Sequence, residues 1–297
     1  MARKKKNNKF PGFIRMTIGI LVSYFLIIQI AKMDVDSITF KNEEVIPVNT
    51  DISMVVHFID IGQGDSTLIE YKDWDILIDG GDNRMATELI DYLNQQEIDD
   101  IDLMIATHMD ADHIGGLDII LAEYQVEEII DSGTEKDTKT YRDYANAISA
   151  EGAVYQEDKD YVYEMDDLFS IEIIETGDDY KDENDNSVVC QINYGNMNFL
   201  FTGDMESEAE KNSLQKYGDV DVLKVGHHGS RTSTTDMFLQ TTRPEYAIIS
   251  CGEGNKYGHP HSETVDKLNN IGARIYRTDE KGTIVLKTDG NSITLQR

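Results

Sequence analysis

The chain reads as an α+β protein, a four-layer αββα sandwich with helices outside two packed sheets, preceded by one N-terminal transmembrane helix. Three observations predict this. Short apolar runs with period-two alternation recur in two sets interleaved with helical patterns, which is how sheets covered by helices are written in sequence. Three of the runs end in side chains that bind metal, at Thr107-His108-Met109-Asp110-Ala111-Asp112-His113, at Thr202-Gly203-Asp204 and at Gly226-His227-His228. Sixteen uncharged, mostly apolar residues, 16–31, stand apart near the N-terminus.

The N-terminal stretch follows a basic segment, Arg3, Lys4, Lys5, Lys6 and Lys9, and is flanked by Arg15 and Lys32. It is short of the ~20 residues a span needs, but Phe13 and Ile14 with a snorkelling Arg15 extend it. A cleaved signal peptide is the rival reading, although Gln29, two positions before Ala31, breaks the small-x-small cleavage pattern. The expectation is a cytoplasmic basic tail and signal-anchor helix over 1–32, a polar tether over 33–52 and one domain over 53–297. That places a single-pass protein in the cell membrane with its domain extracellular; the rival reading makes it secreted.

At 297 residues the chain can bury one large core. Seven of its 27 basic residues precede residue 33 and all 56 acidic residues follow it, so 33–297 carries a formal charge of −36. Such a body repels polyanions unless metal ions or a local basic patch offset the field. The only cysteines, Cys190 and Cys251, leave one disulfide or two buried thiols open.

From residue 54 onward, strands are expected at 54–61, 67–71 and 74–79, with turns at Gly62-Gln63-Gly64-Asp65 and Lys72-Asp73. Gly80-Gly81 leads to a helix over 85–95, then the strand 101–106, the turn rich in metal donors, and a helix through residue 123. A strand at 128–131 precedes a helix at 140–150 with Tyr141, Tyr144, Ala145 and Ile148 on one face. Further strands are expected at 154–155, 168–175, 187–194 and 197–202, the last two joined by a Gly195-Asn196 hairpin turn. The remainder alternates: helix 206–217, strand 222–225, helix 235–240, strand 246–250, helix 262–270, and closing strands at 274–277, 283–287 and 292–295.

The run from His108 to His113 puts two imidazoles and two carboxylates within six residues, between a buried strand and the start of a helix packed on it through Gly115-Gly116. A strand-to-helix turn lets such side chains converge. Nitrogen and oxygen donors together suit borderline or hard divalent ions such as zinc, iron or manganese. An Asp112 N-cap on a solvated helix would not explain the other three.

Together, His108-x-Asp110-x-Asp112-His113 resembles the HxHxDH signature of the metallo-β-lactamase superfamily, with aspartate in the second position. Phe58-Ile59-Asp60-Ile61-Gly62-Gln63-Gly64-Asp65-Ser66, Leu77-Ile78-Asp79-Gly80-Gly81, Asn186-Ser187-Val188-Val189, Phe201-Thr202-Gly203-Asp204, the run from Lys224 to Ser230 and Tyr257-Gly258-His259-Pro260-His261 narrow the likeness. They are similar to the β-lactamase-like domain of the ComEC group of DNA-uptake competence proteins, over roughly 53–297. The resemblance implies the αββα sandwich and two divalent ions, Zn²⁺ or Mn²⁺. It implies His108 and Asp110 on one ion, Asp112 and His113 on the other, Asp204 bridging both, and His228 as the last imidazole, with His227 its rival. The window where the pattern places a further histidine reads Asn184-Asp185-Asn186 instead, so water, Asp185 or an asparagine oxygen is expected there. Asp110 in place of histidine hardens the site toward manganese. The chain is expected to be a stand-alone relative without the multi-span channel region.

Asp112, His227, His228 and His259 are the residues expected to act in catalysis, with His227, His259 or His261 protonating a leaving group. Asp60, Asp65, Asp79 and Asn186 are expected to steady the ligand loops by hydrogen bonds. The implied activity is that of a metal-dependent hydrolase, a phosphodiesterase or nuclease, with single-stranded DNA as one candidate partner. The alternative is hydrolysis of a cell-envelope or small-molecule ester or phosphodiester, which the −36 body favours.

Overall fold

The computed structural model describes residues 53–177 and 180–296, all within the compact unit Ile46–Arg297. Its first half runs β1 (Met54–Phe58), β2 (Thr67–Tyr71), β3 (Trp74–Ile78), α1 (Ala86–Gln95), β4 (Ile101–Ala106), α2 (Ala111–Ile114), α3 (Leu117–Glu123), β5 (Val126–Asp131), α4 (Lys139–Glu151) and β6 (Val154–Glu157). The strands β7 (Tyr161–Glu164), β8 (Phe169–Ile174), β9 (Val189–Tyr194) and β10 (Met197–Phe201) follow. The chain then alternates through α5 (Ser207–Ser213), β11 (Val222–Lys224), α6 (Asp236–Thr242), β12 (Tyr246–Ile249), α7 (Ser262–Ile271) and β13 (Arg274–Arg277). It closes with α8 (Thr278–Lys281), β14 (Ile284–Thr288) and β15 (Ile293–Gln296).

Two mixed sheets result, one ordered β15-β14-β1-β2-β3-β4-β5-β6 and the other β13-β12-β11-β10-β9-β8-β7. Each is antiparallel in one half and parallel in the other, β3 through β6 and β10 through β13 being parallel. A parallel step needs a crossover, and each of these six carries a helix, with one exception in kind: β4 to β5 uses the short pair α2 and α3.

The strand period of two sorts the apolar side chains. Met54, Val56, Phe58, Ile69, Ile76 and Leu103 of the first sheet meet Phe169, Ile171, Cys190, Ile192, Phe199 and Val222 of the second in one buried layer. The alternate residues Leu68, Leu77 and Met104 pack outward with Leu89, Leu93, Leu117, Ile120 and Tyr144 of the helices. Val189, Leu200, Leu223 and Ala247 do the same with Ala209, Phe238, Leu239 and Leu268 on the other side. Helices therefore cover the outer faces of two packed sheets.

Two expectations are corrected, one strand is added and one open point is settled. Among the described residues no helix is long and apolar enough to cross a membrane, so the single-pass membrane placement is withdrawn. The stretch 16–31 that suggested it, with the tail and tether, lies outside the described residues. The helix expected over 206–217 stops at Ser213, whose Oγ turns back to Ala209 O (2.7 Å) before a single 3₁₀ turn. Strand β7, not expected from sequence, is an edge strand with Tyr161 and Val162 exposed, so no buried alternation marks it. Cys190 and Cys251 are free buried thiols in different core layers, not a disulfide.

On the first sheet Glu70 of β2 stands opposite Asp75 of β3, and Asp102 of β4 accepts from Asp75 N (2.7 Å). His57 relieves Glu70 at 2.9 Å, but burial and the carboxylates of Glu70 and Asp102 push Asp75 up to about 7. A carboxyl whose folded pKa is raised binds its proton more tightly in the folded chain, so stability is lost as pH rises from about 4 through 7. Asp75→Asn is therefore expected to stabilise the protein at pH 8, on the order of 1 kcal/mol after solvent screening, or about 2–4 °C in Tm. Thermal melts should show the gain vanish below about pH 4.

Candidate metal centre

The predicted donors lie at one end of the sandwich, where strands of both sheets finish. β4 delivers Thr107 and His108, β10 delivers Asp204, and β11 delivers His227 and His228. The seam is closed by two hydrogen bonds: Val188 N donates to Thr107 O (2.7 Å), and Asp204 N to the Ser187 hydroxyl oxygen (3.1 Å). Gly80-Gly81 and Gly115-Gly116 pack main chain against main chain, with Gly80 N donating to His113 O and Gly116 N to Gly81 O. A Cβ on Gly116 would stand 2.3 Å from Gly80 O, so no larger residue lets the donor turn sit this close to β3. His227 and His228 both adopt left-handed backbone, φ 48° and 52°, strain that turns both rings toward the same point.

That point is Asp204. Its Oδ2 lies 3.8 Å from His108 Nε2, 3.7 Å from His227 Nε2 and 3.6 Å from His228 Nε2, and its Oδ1 lies 3.2 Å from His113 Nε2. Asp112 Oδ2 is 3.5 Å from His228 Nε2, and Asp110 Oδ2 is 4.0 Å from His108 Nε2. The structure thus brings together all six residues expected to hold metal, and His227 with them.

Each ring is held from behind. Asp79 accepts from Thr107 N (2.8 Å), Thr107 Oγ1 (2.7 Å) and His113 Nδ1 (2.8 Å). His228 Nδ1 donates to Ser250 O (3.0 Å), with Asp65 Oδ1 at 3.3 Å, and Lys224 Nζ donates to Asp65 Oδ2 (2.6 Å). Asp65, His113, Asp204 and His228 each bring a donor atom within 4.8 Å of the others. Asp65, however, lies on the Nδ1 side of His228 and Asp204 on the Nε2 side, so Asp65 orients the ring instead of sharing its ligand. Because Asp79 and Ser250 O only accept, the Nδ1 atoms carry the protons and Nε2 faces the centre. His227 Nδ1 donates to Glu206 Oε1 at 2.9 Å.

Electrostatics agree with a site built for positive charge. Burial alone would keep Asp204 neutral, but His228 and His113 outweigh it and carry the carboxyl well below its usual range. Burial likewise disfavours the His228 imidazolium, yet Asp204 and Asp65 lift it to about 10. Asp112, against its burial, is brought down to about 2 by the neighbouring imidazoles of His228 and His113. Burial and His113 hold His108 down to about 4.

Some expected residues are elsewhere. Asp60 is exposed and accepts from Gly62 N (3.2 Å) in its own turn. Asn186 binds Tyr180 N and O and so closes its own loop. Asp185 is not a donor to the centre: its Oδ1 accepts from Glu206 N (2.8 Å) and Ala209 N (3.2 Å) at the start of α5. His261 Nδ1 is taken by Arg231 N (3.1 Å). His259 lies beside the pair, 5.4 Å from the His227 ring and 6.1 Å from the His228 ring. Its burial and those neighbours hold it at about 4, which leaves it an uncharged group.

A sequence profile of the metallo-beta-lactamase superfamily matches residues 59–253, a span that contains every donor around Asp204. The chain belongs to the metallo-beta-lactamase superfamily. Within it, the chain is 35% identical over 251 residues to ComE operon protein 3 of Bacillus subtilis, covering 77% of this chain and 32% of that protein. It is 31% identical over 237 residues to Recombination protein 2 of Haemophilus influenzae, covering 77% and 28%. These curated relatives are ComEC-like competence proteins, and the chain spans about a third of their length. A putative metal-dependent hydrolase from Parabacteroides distasonis shares the fold at TM-score 0.51 and 17% identity, over 77% of this chain and 94% of that one.

The residues present fit the divalent ions that the superfamily implies. His108 Nε2, His113 Nε2, His228 Nε2 and Asp204 Oδ1 are buried polar atoms without a hydrogen-bond partner, and buried polar groups normally have one. A cation at their focus, accepting lone pairs from the Nε2 atoms and from Asp204, satisfies all four. Sequence reasoning missed Glu206, which steadies His227, and Lys136, which pairs with Asp110 and Glu183. Only a spacing of two from Asp204 hinted at the first, and nothing at the second.

Asp79→Asn should lower metal affinity about 10–100-fold by loosening His113, read by competition with a chromophoric chelator. Asp185→Ala should instead cost about 1 kcal/mol of stability through the exposed N-H groups of α5, leaving metal stoichiometry unchanged in the same titration.

Proposed function

We propose that this superfamily hydrolase is a metal-dependent phosphodiesterase, with nucleic acid as its substrate class. The observation that carries the reading is the convergence of buried, partnerless imidazole and carboxylate atoms on Asp204. When bound there, two divalent ions supply Lewis acidity that lowers the pKa of water and draws charge from the oxygens of an in-line displacement at phosphorus. His108 and Asp110 would hold one ion, Asp112, His113 and His228 the other, with Asp204 between them. Asp110 and Asp112 make the donor set oxygen-rich, which favours manganese and a phosphate ligand over a softer pairing.

The chain's own groups do the rest. Asp79, Ser250 O and Asp65 fix the rings so that their Nε2 atoms stay aimed at one point. His227 is the half-buried ring on the solvent side. As the imidazolium it gives its Nε2 proton to the leaving oxygen, while Glu206 accepts from Nδ1. The names of the curated relatives, an operon protein of competence and a recombination protein, support nucleic acid as the substrate. A second reading, a small-molecule ester or diester as substrate, is favoured by the charge of −36 over residues 33–297.

Protein stripped with chelator and reloaded with manganese or zinc should hydrolyse bis(p-nitrophenyl) phosphate. His108→Ala and Asp204→Ala should each lower kcat by about a hundredfold or more. Cleavage of single-stranded DNA in parallel would choose the first reading, and turnover of the small diester alone the second. Two bound ions with no turnover of either would sink the phosphodiesterase.

A further inference from the structure

A cleft of about 460 Å³ opens beside the centre, between the turn ahead of α1 and the loop that follows β12. Asp112 forms part of its wall, and Asp112 is 3.5 Å from His228 Nε2, so the cleft runs into the candidate centre. Gln63, Arg84, Lys256 and Tyr257 also line it, and none of them has a part in the chemistry above.

Tyr257 is 51% exposed, yet it is held in place. Its ring stacks on His259 with centroids 5.6 Å apart and planes 23° apart. Its N–H and that of His259 both donate to Asn255 Oδ1, at 3.1 and 3.0 Å, while Asn255 Nδ2 donates to Gly252 O and His259 O. The aromatic platform is therefore preorganised, and little ordering is needed when a flat ligand settles on it. Lys256 Nζ lies 4.8 Å from the Tyr257 centroid and makes no ion pair among the described residues. Arg84 is 85% exposed in its side chain and pairs with Asp82. Asp82 and Asp112 share the lining with these two cations, and Asp82 is the one that pairs with Arg84. Gln63 adds an unsatisfied donor to the lining: its Oε1 accepts from Gly252 N (3.3 Å), and its Nε2 is buried without a partner.

We propose that this cleft is a nucleotide subsite. The base next to the scissile phosphodiester stacks on Tyr257, Lys256 and Arg84 meet the adjoining phosphate, and Gln63 Nε2 donates to an oxygen of the nucleoside. The assignment deepens the phosphodiesterase reading and rests on it for the placement of the scissile bond. Stacking of a base on an aromatic side chain is worth ~1–3 kcal/mol and tolerates any base, because every base has a π-face. The subsite thus selects nucleotides over other diesters without selecting a sequence.

The test uses 2-aminopurine riboside 5′-monophosphate, a fluorescent nucleotide with no diester to cleave, titrated into the metal-loaded full chain. Saturable quenching is expected, with Kd rising about tenfold in Tyr257→Ala and staying near wild type in Tyr257→Phe. Lys256→Met should also weaken binding and flatten its salt dependence. No saturable quenching by the wild type, or equal affinity in Tyr257→Ala, overturns the subsite. Turnover of methyl p-nitrophenyl phosphate by the wild type, a diester without a base, tests the centre separately. Failure there with nucleotide still bound through Tyr257 would sink the phosphodiesterase and leave the nucleotide site standing.

Discussion

A carboxylate buried where two sheets meet has to be compensated, and the arrangement around Asp204 follows from that need. An unpaired charge taken out of water costs several kcal/mol, so four imidazoles face Asp204 at 3.2 to 3.8 Å. Imidazoles aimed at one another's neighbourhood would scatter unless something held their far sides. Asp79 holds His113, Ser250 O and Asp65 hold His228, Glu206 holds His227, and Lys224 in turn neutralises Asp65. Charge alternates outward in shells, and each layer fixes the tautomer of the one inside it.

The backbone is shaped to permit this convergence. The antiparallel half of each sheet gives the sandwich its breadth, whereas the parallel halves end their strands on the same side and so deliver side chains to one place. The paired glycines 80–81 and 115–116 let the donor turn touch β3 at main-chain distance. Two successive non-glycine residues in left-handed conformation, His227 and His228, cost about 1–3 kcal/mol each. The hydrogen bonds from their rings to Glu206 and Ser250 over-determine that conformation. Strain therefore sits where the rings must turn inward, and the packed layers behind it supply the stability.

Charge on the larger scale bears on what reaches the site. The acidic body repels long polyanions, so approach is favourable only where cations line the path. Lys256 and Arg84 line the cleft that leads to Asp112, and Lys136 offsets Asp110 on its other flank. The imidazoles of His108, His113 and His228 are buried around Asp204, whereas Arg84 and Tyr257 of the cleft are exposed and lie to one side.

Much of this was legible in the sequence, because the informative contacts were local. The apolar run before His108, the donor spacing through His113 and the strand-ending Asp204 and His228 predicted both the layers and the convergence. Asp60 and Asp79 carry nearly the same local signature, an aspartate closing an apolar strand before a glycine-containing turn, and nothing in the chain separates them. In space one is exposed at its own turn and the other is buried against Thr107 and His113. Asp185 in a window expected to supply a donor proved to hold the start of α5. Glu206, Lys136 and the Lys224–Asp65 pair, 159 residues apart in sequence, depend on which strand ends are brought side by side. The sequence by itself determined which residue types stand at the strand ends and how the apolar faces alternate, since those follow from spacing along one element. Which carboxylate faces the metal centre, which holds a ring and which caps a helix was decided only by the tertiary structure, because a carboxylate's role is set by the donors within about 3 Å of it and those arrive from distant parts of the chain.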